Sequence, residues 1–319
     1  MGTYIDCVAL SQQVKDVVKE YFGNIKETYG LLAPTPLLFV VRCGDNPASE
    51  AYVRNKKKVC EEVGIVLVDK KVEPTFDAMM NAVASSSLEA YHRGGVIMQL
   101  PLPDNFTEAE KETLLQFIDD ECDVDGLGDN SSFIPCTPLG CLEVINYLIE
   151  IGEFPADLAN TNVTIIGRSQ LVGSPLRELL LMTNATLTLC HSKTKDINEH
   201  IKNADIIISA VGKRDFITKE MLAGNTSDKL TLIDVGINRD ENGKLCGDFS
   251  RDAIEVAKYA TPVPKGIGLM TTSKLVENVM RAYKNGVDVH SLDKKKTKAM
   301  KLKKDGSENA ERIAGMIEE

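Results

Sequence analysis

Short uninterrupted apolar runs, separated by stretches of helical period, constrain this chain more than any other feature. Leu37-Leu-Phe-Val-Val41 offers no polar side chain to water, as a parallel strand covered on both faces requires. A helical stretch and the strand Gly64–Val68 follow. Next come a helix over Phe76–Tyr91, the strand Gly95–Leu100 closed by Pro101 and Pro103, and a helix over Glu108–Ile118. A helix from about Pro138 to Ile151 bridges to a second series. That series has strand Asn162–Ile166, the glycine turn Gly167–Gly173, helix Pro175–Met182, strand Ala185–Cys190 and helix Asp196–Lys202. Strands Asp205–Ala210 and Leu230–Val235, a hairpin turn at Asp240-Glu-Asn-Gly243, an extended Thr261-Pro-Val-Pro264 and a last helix Thr271–Asn285 complete it. Strands alternating with helices predict an α/β fold, and 319 residues suit two lobes.

Composition removes several function classes. A net charge of −10 and the absence of Trp argue against a nucleic-acid binder. No apolar run reaches the roughly 18–20 residues of a membrane span, and the first residues lack a signal-peptide pattern. The eight cysteines form no CxxC pair and have no histidine at ligand spacing, which reads as reduced thiols in a cytoplasmic protein with no metal site. From Asp293 onward the chain is lysine-rich and then acidic, a charged tail expected to be solvated, with room for a short helix.

One lysine stands out on the helix expected over Pro47–Val63, with Asn46 as N-cap and Gly64 as stop. Stepping about 100° per residue puts Lys56 on the apolar stripe with Tyr52, Val59 and Val63 and turns Lys57 and Lys58 outward. An inward ammonium is costly unless it is used or paired, although it can also snorkel to solvent. Gln99 at the end of a buried strand and Asp125 before Gly126 occupy the carboxyl-end positions where open α/β sheets bind ligands. Alone, Gln99 reads equally as a strand cap and Asp125 as an ordinary turn.

In the second lobe a strand runs directly into Gly167, and Gly173 precedes a helix opened by Pro175, an arrangement suited to a pyrophosphate. The spacing is not the strict GxGxxG, so an unliganded turn is the competing reading. The next strand ends Cys190-His191-Ser192-Lys193-Thr194, with no carboxylate before Asp196 to hold a ribose 2′-OH. With Arg168 in the turn, this favours a 2′-phosphate and hence NADP over NAD.

The stretches PASEAYVRNKKK (47–58), GGVIMQLPLP (94–103), DVDG (123–126), PCTPLG (135–140) and GRSQLVGSP (167–175) run in order. CHSKTKD (190–196), IDVGIN (233–238), GD (247–248) and TPVP (261–264) continue the series. Over roughly residues 35–285 the chain resembles the methylenetetrahydrofolate dehydrogenase/cyclohydrolase family.

That resemblance implies oxidation of 5,10-methylenetetrahydrofolate with NADP and hydrolysis of the methenyl product to 10-formyltetrahydrofolate. It implies Lys56 as the catalytic lysine, Gln99 tuning it, Asp125 on the pterin, Tyr52 packing on the folate, and Ser49, Pro264 and Lys265 at the substrate. Gly167, Arg168, Ser169, Gly173, Ser174, Ser192 and Ile237 fall on the cofactor side, Arg168 and Ser192 at the 2′-phosphate. It implies a folate-binding catalytic domain of residues 1–139 plus 270–290, the last helix returning to the first lobe. A Rossmann-like domain of 140–269, a tail of 291–319 and a homodimer complete the expectation. The chain departs from the family pattern at Lys265, Leu269, Cys122 and the short loop Leu127–Phe133. A dehydrogenase-only member, or a folate- or nucleotide-binding module without catalysis, is the alternative these leave.

Overall fold

The computed structural model describes residues 2–287 and 292–298. The chain divides into two compact units, Met1–Gln13 with Ile134–Lys274 and Val14–Phe133 with Leu275–Glu319. β1 (Thr3–Tyr4), α1 (Cys7–Tyr29), β2 (Leu37–Cys43), α2 (Pro47–Val63), β3 (Val66–Val72), α3 (Phe76–Ala90), β4 (Gly94–Met98) and α4 (Glu108–Gln116) come first. α5 (Cys136–Glu150), β5 (Asn162–Ile166), α6 (Gly173–Leu181), β6 (Thr186–Cys190), α7 (Ile197–Ile201), β7 (Ile206–Ser209), α8 (Lys219–Leu222) and β8 (Thr231–Asp234) follow. The chain then makes β9 (Asn238–Arg239), β10 (Leu245–Cys246), α9 (Arg251–Val256), β11 (Tyr259–Ala260) and α10 (Ile267–Gly286).

One unit is built on a parallel three-stranded sheet in the order β3-β2-β4. Leu38, Phe39, Val40 and Val41 are at most 1% exposed, so β2 is the buried strand its apolar run predicts. Met79 and Val83 of α3 join Phe39, Val41, Val96 and Met98 in one core cluster, each buried side chain contributing about 1.5–3 kcal/mol. β3 starts later than expected, because Gly64 at φ +85 turns the chain out of α2 before the strand begins.

The other unit carries a six-stranded parallel sheet in the order β1-β11-β8-β7-β5-β6. From β5 the chain moves outward to β6 and then crosses back to place β7 on the other side of β5. The strand order therefore reverses between β5 and β7, and open α/β sheets bind ligands outside the strand ends at such a point.

Residues 1–13 differ from the expected division. β1 pairs with β11 at Thr3↔Tyr259, and Ile5, Cys7 and Leu10 pack into the core cluster that holds Cys141 and Ile145. The other joint falls inside α10, between Lys274 and Leu275, and α10 begins at Ile267 rather than Thr271. α1 is not among the elements expected from the sequence. Its buried positions Cys7, Leu10, Val14, Val18, Phe22 and Tyr29 recur mostly at three- and four-residue steps, the signature of an amphipathic helix. Of the charged tail, residues 292–298 are helical, and the Tyr29 hydroxyl donates to Asp293 Oδ1 at 2.8 Å. The remainder of the tail lies outside the described residues. Among the described residues no helix is long and apolar enough to cross a membrane.

Candidate active site

α2 starts where β2 ends, with Pro47 as its first residue and the Ser49 amide donating to Asn46 Oδ1 at 3.4 Å. Ser49, Val53, Cys60 and Val63 form its buried face, each at most 6% exposed. Lys56 sits half-buried at the edge of that face, while Lys57 and Lys58 are exposed, so the helical period separates the three lysines as expected. Tyr52 does not follow the expectation. It is 45% exposed, because the buried stripe is centred about a quarter-turn away, on Val53 and Cys60. The Ser49 hydroxyl is buried without a hydrogen-bond partner. Burial raises the Cys60 thiol, one turn beyond Lys56, to about 12.

The Lys56 ammonium donates to Gln99 Oε1 at 2.8 Å. Gln99 follows β4 directly; its amide nitrogen donates to Val41 O at 2.9 Å, and its Nε2 donates to Leu100 O at 2.7 Å. With its backbone locked to β2 and its side chain 7% exposed, Gln99 holds its oxygen toward the helix. Residues from α2 and β4, 43 positions apart in sequence, are thus joined in one unit.

Asp125 follows a segment that lies beside β4. The Cys122–Val124 segment runs beside β4 through a parallel bridge, Val96↔Asp123, with the Val96 amide donating to Cys122 O at 2.7 Å. Gly95 permits this approach, since a Cβ there would lie 2.2 Å from a Val124 methyl. Past the bridge the chain turns, the Gly126 amide donating to Asp123 O at 3.0 Å, and Asp125 sits half-buried in that turn. Its neighbour Asp123 turns inward, 1% exposed, and accepts from the Gly126 and Gly128 amides at 3.1 and 2.8 Å. Burial raises the Asp123 carboxyl, opposed by those amides. The Asn278 side chain of α10 ties the loop down further, donating to Val124 O at 3.0 Å. Asp123 is the support that the sequence reading passes over; no alternation marks it, since Asp123 and Val124 are both buried. Cys122, where the family pattern has lysine, packs in the core at 1% exposure.

In the six-strand unit, the Gly167 amide continues the sheet by donating to Cys190 O at 2.9 Å. Gly167 has φ +118, and a Cβ on it would lie 2.6 Å from Ala210 O. Gly173 begins α6 two residues before the expected start, pressed against the turn so closely that a Cβ would lie 2.0 Å from Gly167 O. Ser169 and Ser174 knit the turn: the Val172 amide donates to Ser169 Oγ at 3.2 Å, and the Ser174 hydroxyl donates to Arg168 O at 3.2 Å. No side chain caps the N-terminus of α6, which leaves that end available to an anion. The pairing Ile166↔Cys190 brings the exposed residues Arg168 and Ser192 out at the same end of adjacent strands. Asp196, the first acid after β6, lies six residues beyond the strand. Ile237, half-exposed, follows β8. Pro264 and Lys265 are exposed in this unit on the approach to α10, Lys265 in the left-handed region at φ +75.

A family model described as the tetrahydrofolate dehydrogenase/cyclohydrolase catalytic domain matches residues 5–125, and its NAD(P)-binding domain matches residues 135–287. The chain belongs to the tetrahydrofolate dehydrogenase/cyclohydrolase family. Within it, the chain is 38% identical over 289 residues to the bifunctional protein FolD of Lysinibacillus sphaericus, covering 86% of this chain and 95% of that one. It is 39% identical over 265 residues to FolD of Bacillus subtilis, covering 78% and 88%. The crystal structure of FolD from Campylobacter jejuni superposes with a TM-score of 0.78 at 34% identity, covering 90% of this chain and all of that chain. FolD of Trypanosoma brucei, complexed with NADP and an inhibitor, superposes with a TM-score of 0.78 at 28% identity over 90% of this chain and 99% of that one.

Proposed function

We propose that the chain oxidises 5,10-methylenetetrahydrofolate to the methenyl form with NADP and hydrolyses that product to 10-formyltetrahydrofolate. The observation that carries this reading is the half-buried Lys56 ammonium held on Gln99 Oε1 at 2.8 Å, at the carboxyl end of a parallel sheet. The methenyl intermediate is a cation, so attack by water needs a group that takes a proton and later returns one. Lys56, once its amine is neutral, fills that role, and Gln99 Oε1 holds the amine in place. Asp125 holds the pterin, while Tyr52 and Ser49 border the folate; Pro264 and Lys265 are assigned to the substrate by the family resemblance alone.

The residues at the β5/β7 switch point suit a dinucleotide. Gly167 and Gly173 leave no Cβ between the turn and α6, and Ser169 and Ser174 keep the turn closed around the uncapped helix end. Arg168 and Ser192, with no acid between β6 and Asp196, meet a 2′-phosphate, and Ile237 lies on the nicotinamide side. When bound, the nicotinamide supplies the hydride acceptor; the protein's part is to hold it against the one-carbon centre. The family resemblance supports a homodimer, and the free cysteines, seven of eight buried, support a cytoplasmic setting.

Lys56→Met tests the assignment. Methenyl hydrolysis should fall by about 100-fold or more while NADP binding survives. Unchanged hydrolysis would remove Lys56 from the mechanism. Lys265 and the short loop Leu127–Phe133, two of the departures from the family pattern, favour a second reading in which only the dehydrogenase step is retained. Methenyl that accumulates during turnover without decaying selects that reading.

A further inference from the structure

Asp248 is wholly buried, and the five hydrogen bonds at its carboxylate are all donated to it. Its Oδ2 accepts from Ser209 Oγ at 2.9 Å and from the Val211 and Gly212 amides at 2.8 and 3.2 Å. Its Oδ1 accepts from the Lys213 amide at 2.9 Å and from Asn238 Nδ2 at 3.0 Å. The same oxygen presses on the bare α-carbon of Gly236, where a Cβ would lie 2.0 Å away. The carboxylate itself is anchored through its backbone, which donates to Asp234 Oδ1 at 3.0 Å and accepts from the Ile217 amide at 3.0 Å.

The segments that Asp248 grips are the loop after β7 and the stretch after β8, both at the carboxyl ends of strands. The loop after β7 forms one side of the switch point, since Ala210 O abuts Gly167. The stretch after β8 carries Ile237. Three successive amides, 211 to 213, make a concavity of the kind that binds anions. Here a carboxylate of the chain fills it, so an incoming pyrophosphate is left to the N-terminus of α6.

Resting on the nucleotide site proposed above, we infer that Asp248 is a positioning residue for the dehydrogenase step. It never touches the cofactor; it sets the wall of the crevice opposite the Gly167–Gly173 turn and the approach of Ile237. An amide at this position cannot do the same work. Wherever its NH2 is placed, it faces hydrogen-bond donors. Even with Asn238 turned around, the Lys213 amide loses its acceptor and the loop is freed at that residue.

The bifunctional chain contains its own control for folding. In purified Asp248→Asn, kcat/KM for NADP in the dehydrogenase reaction should fall about 30-fold, the scale of losing a buried charged acceptor. The NADPH dissociation constant should rise, and the kcat for methenyl hydrolysis, measured on the same sample, should stay within about twofold of wild type. A purely structural role would lower both activities together in proportion to the folded fraction, and that result overturns the inference. So does an unchanged NADPH dissociation constant with unchanged kcat/KM. If Asp248→Asn does not fold, Ser209→Ala removes one donor and should move the same ratio in the same direction by about threefold; no movement overturns the inference. A wild type that binds NADPH but turns over neither folate removes the functional reading instead, and the dissociation constants then decide the role of Asp248 alone.

Discussion

Gly173→Ala adds one methyl group where two effects compete. Alanine is the better helix former by about 1 kcal/mol, so propensity alone would stabilise α6. The packing opposes this. A Cβ would lie 2.0 Å from Gly167 O, 2.7 Å from Gly167 C and 3.0 Å from the Arg168 Cα. Ordinary carbon–oxygen approach is about 3.3 Å or more, so the turn must open by more than about 1 Å. Every atom met belongs to the backbone, and no side chain can swing aside. Overpacking of this kind costs about 1–3 kcal/mol and outweighs the helical gain. The larger consequence is geometric, since a displacement of about 1 Å in a positioning element costs about 100-fold in rate. Dehydrogenase kcat/KM for NADP should therefore drop about 100-fold, read as NADPH formation, while hydrolysis of added methenyltetrahydrofolate continues within about twofold of wild type. A variant that keeps its kcat/KM for NADP within about threefold of wild type would refute the placement of the pyrophosphate against this turn.

Burial raises the Asp234 carboxyl to about 7, far above its ordinary value of 3.8. A group raised on folding gives stability that is complete below the unfolded value and lost as pH rises through the folded one. Between pH 5 and pH 8 the wild type should lose about 3 kcal/mol relative to Asp234→Asn in paired urea titrations, and parallel pH curves would contradict this. Lys265 holds a left-handed φ of +75 that glycine adopts without strain. Lys265→Gly should stabilise the chain by about 1 kcal/mol, a rise of roughly 2–4 °C in Tm by calorimetry. A lower Tm would mean that contacts of the lysine outweigh the backbone cost.

The apolar run of β2 and the glycine turn after β5 were legible because each is a local pattern with a single structural solution. Lys56 was legible for the same reason: periodicity separates it from Lys57 and Lys58. Gln99 and Asp125 had only a position in the sequence; the bond that joins Lys56 to Gln99, 43 positions away, appears only in the fold. Tyr52 was misjudged because the apolar stripe of α2 is centred on small residues, Ser49, Val53 and Cys60, rather than on its largest side chain. The length of chain between Met1 and Leu37 hid β1, whose partner strand β11 is 256 positions away in register. Asp123, Asp234 and Asp248 resemble surface acids in sequence, and only the backbone amides folded around them mark them as interior.

Cys246 faces Asn238 across the β9–β10 hairpin, and Asn238 in turn holds Asp248. The other seven cysteines are buried. Burial also raises the Cys246 thiol, so it will react slowly at neutral pH and faster in mild alkali. The protein therefore carries a natural attachment point for a fluorescent reporter, one strand pairing away from Ile237. On the nucleotide placement proposed above, an environment-sensitive dye on Cys246 would follow nucleotide arrival in real time without any engineered cysteine.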